Sequence, residues 1–473
     1  MSQSFEITRS IKQGGLLSMF FYVASNCDIH EWLNQGNVGL KFQGIDVSSP
    51  TIADDTILLS NTANGLQAMI NKAFEYGRRW RLTFSKAKTK CLVFGENKRS
   101  NNLNSTKRAW YLGERHIDEV SSIIHVGNKL CVYGKSEQKT KTAIKRGYAN
   151  MSSISKIGAG ANCLNPITSS IIWKRVCLPS ILYSCEVWPE LRKCDLYELE
   201  KMQKCAAKRI QGLYWRTHDE IVRGLMGWYT VCALIDNAKL RFMHTLICAD
   251  PSNISKQVFN VRLYQCLLSD ENEMSCTKDL LNVCAKYELK DDVIKYAKGS
   301  NPPSKVEWKR KCKNAIHVKE EHKWNQGLNI KVGCSTFKSV HPDLIMSRLY
   351  YVIKNNFEYR DAILRIIRCL AIPDEGELLT CTLCDKNSEN ILQHYISYCT
   401  CVNDLRNQMW QDIIDILDVN ESVQLFSKDE DEIFQIFIGG PWINNCVSQD
   451  KRDTIICIVA QYFGFMYNRC TRL

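Results

Sequence analysis

The alternation of apolar and polar positions marks out the front of the chain. Residues 5–24 read as a strand (Phe5 to Thr8), a glycine turn (Gln13, Gly14, Gly15) and the start of an apolar helix from Leu16. Residues 51–60 are two short β-branched runs split by Asp54 and Asp55, which predicts a hairpin with the acidic pair at its turn. Over 64–81, Leu66, Met69, Ile70, Ala73, Phe74, Gly77 and Trp80 recur at helical spacing, while Gln67, Asn71, Lys72, Glu75, Arg78 and Arg79 take the other face. Lys90 to Phe94 reads as a strand closed by Gly95. From about Lys135 the period becomes helical. Asp195 with Glu198 predicts a capped helix start, followed by an apolar stripe through Leu196, Leu199, Met202, Ala206 and Ile210 and a stop at Gly212. Residues 299–304 (Gly, Ser, Asn, two Pro, Ser) form a candidate linker. A basic run, Lys305 to Lys323, is bracketed by Trp308 and Trp324. Helical patterns return over Leu344 to Leu370 and 402–473. The expected fold class is α+β, with an antiparallel sheet region in front and helices behind.

Composition narrows the field. Hydrophobic residues are 45% of the chain and charged residues 24%, so a packed core is expected rather than general disorder. Lys and Arg exceed Asp and Glu by 62 to 50, a net charge of +12 that favours a polyanionic partner, nucleic acid before membrane. The N-terminus is polar and no apolar run reaches the length of a membrane span; the nearest, Ile455 to Met466, contains Gln461. With 23 cysteines and no secretory pattern, thiols such as Cys91, Cys177, Cys205 and Cys369 are expected to be small buried groups in a reducing, intracellular setting, nucleus or cytoplasm.

Two clusters carry candidate chemistry. Adjacent carboxylates at Asp54 and Asp55 repel each other unless a cation relieves them, and hard oxygen ligands suit Mg²⁺ or Mn²⁺ in phosphoryl transfer. Asp pairs also occur at ordinary turns, so this pair is weak by itself. The second cluster is Cys381, Cys384, His394 and Cys399, spaced C-x2-C-x9-H-x4-C, with Cys401 an alternative fourth ligand. Four soft or borderline donors suit a closed, structural tetrahedral Zn²⁺ site. The basic run is either a nucleic-acid surface, with cations for phosphates and indoles for bases, or a charged helix with Trp308 in a core.

The order of these motifs resembles the palm of non-LTR (LINE-type) retrotransposon reverse transcriptases, RNA-directed DNA polymerases of transposable elements. Gln13-Gly14-Gly15 is similar to the element that contacts template and incoming nucleotide. Ile52-Ala53-Asp54-Asp55 is similar to the metal-binding Tyr-Ala-Asp-Asp box. Lys88-Thr89 resembles the next motif, whose lysine lies near the triphosphate, and His125-Val126-Gly127 resembles the primer-grip hairpin. Trp173 to Tyr183, Glu186 to Trp188 and the helix holding Gln203 resemble the thumb, which would account for Lys139, Lys141, Lys145, Arg146, Lys204, Lys208 and Arg209 beside a duplex. Members of the family also carry a Cys-Cys-His-Cys box behind the thumb.

The resemblance implies a partial palm over 1–134, a thumb over 135–250, a basic helical linker region over 251–330, a helical segment with the zinc box over 331–400 and a helical tail over 401–473. RNA template and DNA primer or target would be the partners, with no membrane. Ile52, Met19 and Ser85 stand where the family usually has an aromatic, Pro and Asn. The family's first catalytic aspartate belongs on a strand ahead of Gln13, and only four residues precede Phe5. The expectation is therefore a truncated polymerase, inactive by itself and holding Asp54, Asp55 and Lys88. The alternative is a non-catalytic RNA- or DNA-binding protein using the thumb, basic segment and zinc box.

Overall fold

The computed structural model describes residues 15–36, 38–95, 108–132, 137–160, 163–268, 275–331, 334–371, 379–388, 390–440 and 447–471. The expected strand Phe5 to Thr8, and Gln13 and Gly14, lie outside these residues. The protein is α+β and mostly helical, with small sheets. It divides into two compact units: Met1–Lys135 with Thr245–Lys278 and Tyr296–Pro302, and Ser136–His244 with Asp279–Lys295 and Pro303–Leu473. The stretch 251–330 thus contributes to both, with helix Ile254–Leu268 in the first and helix Lys305–Ile330 in the second.

The first unit is organised by helix Ala63–Trp80, capped by the Thr62 side chain, which accepts from the Gly65 amide, and ended by Arg81 in the left-handed region. Its buried face is Gly65, Met69, Ile70, Ala73, Tyr76 and Gly77. Tyr76, which periodicity left out, is fully buried, while Trp80, placed on the apolar face from its spacing, is 49% exposed. The Tyr76 hydroxyl donates to Asp28 (2.6 Å) and its ring packs beside Trp32, so a tyrosine with a partner for its polar end takes the central position. A three-stranded sheet lies against this helix: Lys90–Cys91, Arg115–Glu119 and Trp110–Leu112, with Arg115–Glu119 in the middle. Lys90–Cys91 pairs parallel to Asp118–Glu119, so the sheet is mixed and not the wholly antiparallel one expected. Within the expected strand Lys90 to Phe94, the assigned strand is Lys90–Cys91.

The tight turn at Gly113 (φ +63) brings the backbone onto Phe74: a Cβ there would meet the ring at 2.5 Å. Gly113→Ala combines that clash with an unfavourable φ, and a loss of about 1–3 kcal/mol is expected, read as lowered hydrogen-exchange protection of Trp110 to Glu119.

The second unit holds the large core. Helix Lys193–Gln211 buries Leu199, Met202, Ala206 and Ile210 and ends at Gly212 (φ +65), as its periodicity predicts. Its start differs from the expected capping box. Arg192 is the N-cap and no side chain caps it, while Asp195 is buried and held by Arg192 (2.8 and 3.1 Å) and Thr140 (3.3 Å). Helix Lys305–Ile330 begins with a capping box between Ser304 and Glu307. It buries Trp308, Cys312, Ile316, Glu320, Trp324 and Leu328. Steps of four residues drift roughly 40° each around a helix of 3.6 residues per turn, so neighbours cover different sides along its length.

Behind it, Arg348–Asn355, Phe357–Tyr359 and Arg360–Leu370 divide the predicted Leu344 to Leu370 stretch. The tail forms helices Asn403–Ile416, Val419–Phe426, Glu430–Phe437 and Gln449–Thr471, the last packed on Arg360–Leu370. Among the described residues no helix is long and apolar enough to cross a membrane. Cys91 and Cys177 are buried thiols as expected, Cys369 is half-buried, and Cys205 is exposed.

Candidate metal centre and acidic hairpin

The Cys/His cluster is assembled from two short local structures. The first is a minimal hairpin, Leu379↔Ser388 and Thr380↔Asn387, whose connection carries Cys381 and Cys384. Inside it the Cys381 amide donates to Lys386 O, and the Asp385 amide to Cys381 O with Asp385 at positive φ (54°), which folds the two thiols to one side. The second is a helical turn started by Asn390, whose side chain accepts from the Gln393 amide. His394 opens the following wide turn, and the Cys399 amide donates back to His394 O (2.7 Å), setting the two ligands together.

One donor atom from each of Cys381, Cys384, His394 and Cys399 lies within 4.8 Å of the other three, and among the described residues this group can hold a metal ion. Cys381 Sγ and Cys399 Sγ are 3.9 Å apart, and Cys384 Sγ is 3.3 Å from His394 Nε2. Cys381 and Cys399 are fully buried and His394 nearly so. Burial pushes the Cys399 thiol up to about 12. Burial acts the same way on Cys381, but hydrogen bonds from the amides of Leu383 and Cys384 and with the Cys384 and Cys399 thiols together hold that thiol below its usual value. Burial, and then the positive charges of Arg406 and Lys386, lower the His394 imidazole, which favours the neutral, ligating form. Cys401, the alternative fourth ligand, stands outside the group and donates instead to Leu383 O.

Spacing gave no sign of Arg406. From helix Asn403–Ile416 its guanidinium donates to the carbonyls of Tyr395, Ile396 and Cys399 (2.6 to 3.2 Å), clamping the segment between the third and fourth ligands. Leu392, Tyr395, Ile396 and Val402 bury their side chains around it.

The acidic pair does sit on a hairpin. Thr51↔Thr56 and Ile52↔Asp55 pair antiparallel, so the turn is Ala53-Asp54, with Ala53 at φ +55, and Asp55 begins the return strand. Asp54, Asp55 and the Ile52 side chain are exposed. In helix Ser18–Ser25, which follows Gly15, burial and then the charge of Asp54 raise the Tyr22 phenol. Lys88 lies exposed in a turn just before strand Lys90–Cys91. Val126 and Gly127, both at positive φ (47° and 70°), form the two-residue turn of a regular hairpin, Ser122–His125 with Asn128–Cys131.

Two parts of the expected nucleic-acid surface are otherwise engaged. Trp308 and Trp324 are buried, their indole N–H groups donating to Leu240 O and Glu220 O, so neither ring is open to a base. Within the basic run, Lys311 is bonded to Asp292 and Lys319 to Glu288. Of the second unit's helical cations, Lys204 and Lys208 converge on Asp219 (2.7 and 3.6 Å), while Lys145, Arg146 and Arg209 are exposed. Compared with known proteins, the chain matches no family model and no curated protein.

Proposed function

We propose that this chain is the palm, thumb and zinc-box portion of a non-LTR retrotransposon reverse transcriptase, and that it grips an RNA template and a DNA primer or target. The observation that carries the reading is the hairpin Thr51 to Thr56, which sets Asp54 and Asp55 next to each other and exposed at its turn. Along the chain it is followed by the Lys88 turn and the His125-Val126-Gly127 hairpin, in the order those polymerases use. The donor set supports structural Zn²⁺ at Cys381, Cys384, His394 and Cys399. A tetrahedron with Zn–S bonds near 2.3 Å has sulfur–sulfur edges of about 3.8 Å, close to the 3.9 Å between Cys381 and Cys399. Four protein donors leave no open position, so the metal would tie chain segments together and activate no water.

Mg²⁺ or Mn²⁺ would belong at Asp54 and Asp55. Two exposed carboxylates do not by themselves hold a metal pair, and these 473 residues alone are expected not to polymerise. The test pairs two assays on the full chain. Binding to a primed RNA template should weaken at least ten-fold between about 50 and 200 mM salt as counterions are retained, with no nucleotide incorporated. Absent or salt-independent binding would sink the nucleic-acid reading. Incorporation abolished by Asp54→Asn would overturn the predicted inactivity.

A further inference from the structure

Helix Lys193–Gln211 ends in a loop whose two aromatic residues are displayed to solvent. Tyr214 is 65% exposed and Trp215 75%, whereas the indoles of Trp173, Trp188, Trp228, Trp308 and Trp324 in the same unit are buried. The loop is held from several sides. Gly212 turns the chain in the left-handed region, the Leu213 amide returns to Lys208 O (3.0 Å), and the Thr217 amide to Tyr214 O (3.1 Å). Lys208 Nζ donates to Trp215 O (2.7 Å) and Arg368 Nε to Gly212 O (3.2 Å). The backbone that carries the indole is thus fixed, and the ring itself is exposed.

Its surroundings are cationic. The Arg216 guanidinium carbon lies 4.8 Å from the centre of the Trp215 ring, covering one face, and exposed Arg209 is one turn back on the helix. The nearby carboxylate, Asp219, is matched by Lys204 and Lys208.

We propose that Tyr214, Trp215 and Arg216 form a stacking platform for the unpaired bases of a single-stranded nucleic acid. This rests on the nucleic-acid reading above and names the strand that this part of the second unit takes. A ring with a guanidinium on one face leaves the other face for a base, and stacking is tolerant of sequence because every base offers a π-face. A duplex buries its base faces between neighbours, so it meets the cations but not the indole. A protein-docking patch would join the rings to exposed aliphatic neighbours; here Leu213 is half-buried, Arg216 lies over the indole and Lys208 is bonded to the Trp215 carbonyl.

The experiment uses the full chain and its Trp215→Ala, Trp215→Phe and Arg216→Gln variants. Anisotropy is measured with a short labelled homopolymeric single strand and with an RNA–DNA hybrid duplex at one salt concentration, and anionic and neutral vesicles are sedimented in parallel. Trp215→Ala is expected to weaken single-strand binding on the order of ten-fold. Trp215→Phe should retain most of the affinity, Arg216→Gln should fall between, and duplex affinity should stay within about two-fold throughout. At this exposure the change is expected to leave folding intact, which the unchanged duplex affinity checks. The inference is overturned if the chain binds both nucleic acids and Trp215→Ala loses neither, if it loses both equally, or if Trp215 instead governs vesicle binding. Failure of the unsubstituted chain to bind either nucleic acid overturns the broader reading along with it.

Discussion

Chelating the metal, or replacing Cys381 with Ser, is expected to unfold the segment from Leu379 to Val402 and to loosen the tail helices packed on it. The segment's own secondary structure holds it only weakly. Its hairpin has two residue pairs, and Cys381 and Cys399 are thiols with no exposed surface. Burial raises the Cys399 thiol and so disfavours its thiolate unless a cation joins the four donors. Binding free energy at a structural zinc is folding free energy, about 10–16 kcal/mol in isolated zinc-finger peptides. The tertiary shell of Leu392, Tyr395 and Ile396, with the Arg406 clamp, retains part of the structure here, so the local loss should be smaller but still several kcal/mol. One equivalent of metal should co-purify with the protein and be absent from Cys381→Ser. Hydrogen-exchange protection over 379–402 should collapse on chelation. Because the ligands must be deprotonated to bind, the metal should be lost as pH falls and not as it rises. Protection that survives chelation unchanged, in a protein that carries no metal, would rule the centre out.

Glu320→Ala should be the most damaging single substitution away from that centre. Glu320 and Arg223 are both buried and meet at 3.3 Å. The same carboxylate accepts from the Thr230 amide (2.7 Å) and the Thr230 hydroxyl (3.0 Å), and Arg223 also donates to Trp228 O. Truncating Glu320 strands a buried guanidinium and a buried amide together, a loss of about 3–5 kcal/mol. Glu320→Gln keeps one acceptor oxygen for Thr230 and should lie between. The double substitution Arg223→Met, Glu320→Leu removes both charges and should recover most of the loss, because burying two ions is costly even when they pair. Urea unfolding followed by tryptophan fluorescence reads these differences, since Trp228 and Trp324 are buried in the same unit. A double variant no better than Glu320→Ala would mean that packing, and not the unpaired charge, sets the cost.

The features legible along the chain are those governed by local rules. Helical period placed helix Ala63–Trp80, which the structure caps with Thr62, and Gly212 marked the end of Lys193–Gln211. The ligand spacing located the Cys/His cluster because a thiol pair on a short turn and a His/Cys pair one helical turn apart are short-range facts. What remained undecided was settled by the turn geometry of the folded chain and by groups distant in sequence. Cys399 rather than Cys401 joins the cluster because the chain's turn at His394 aims it inward, while Cys401 finds Leu383 O. Periodicity could not rank Tyr76 above Trp80, since only the partner at Asp28 makes a buried hydroxyl tolerable. The same limit hid the fate of Trp308 and Trp324: a basic run with two indoles reads alike whether the rings meet bases or Leu240 and Glu220. Local sequence thus set the elements and the donor chemistry. Tertiary packing chose which aromatic and charged side chains were spent on the core and which, like Trp215, were left facing water, because burial depends on neighbours that no window of sequence contains.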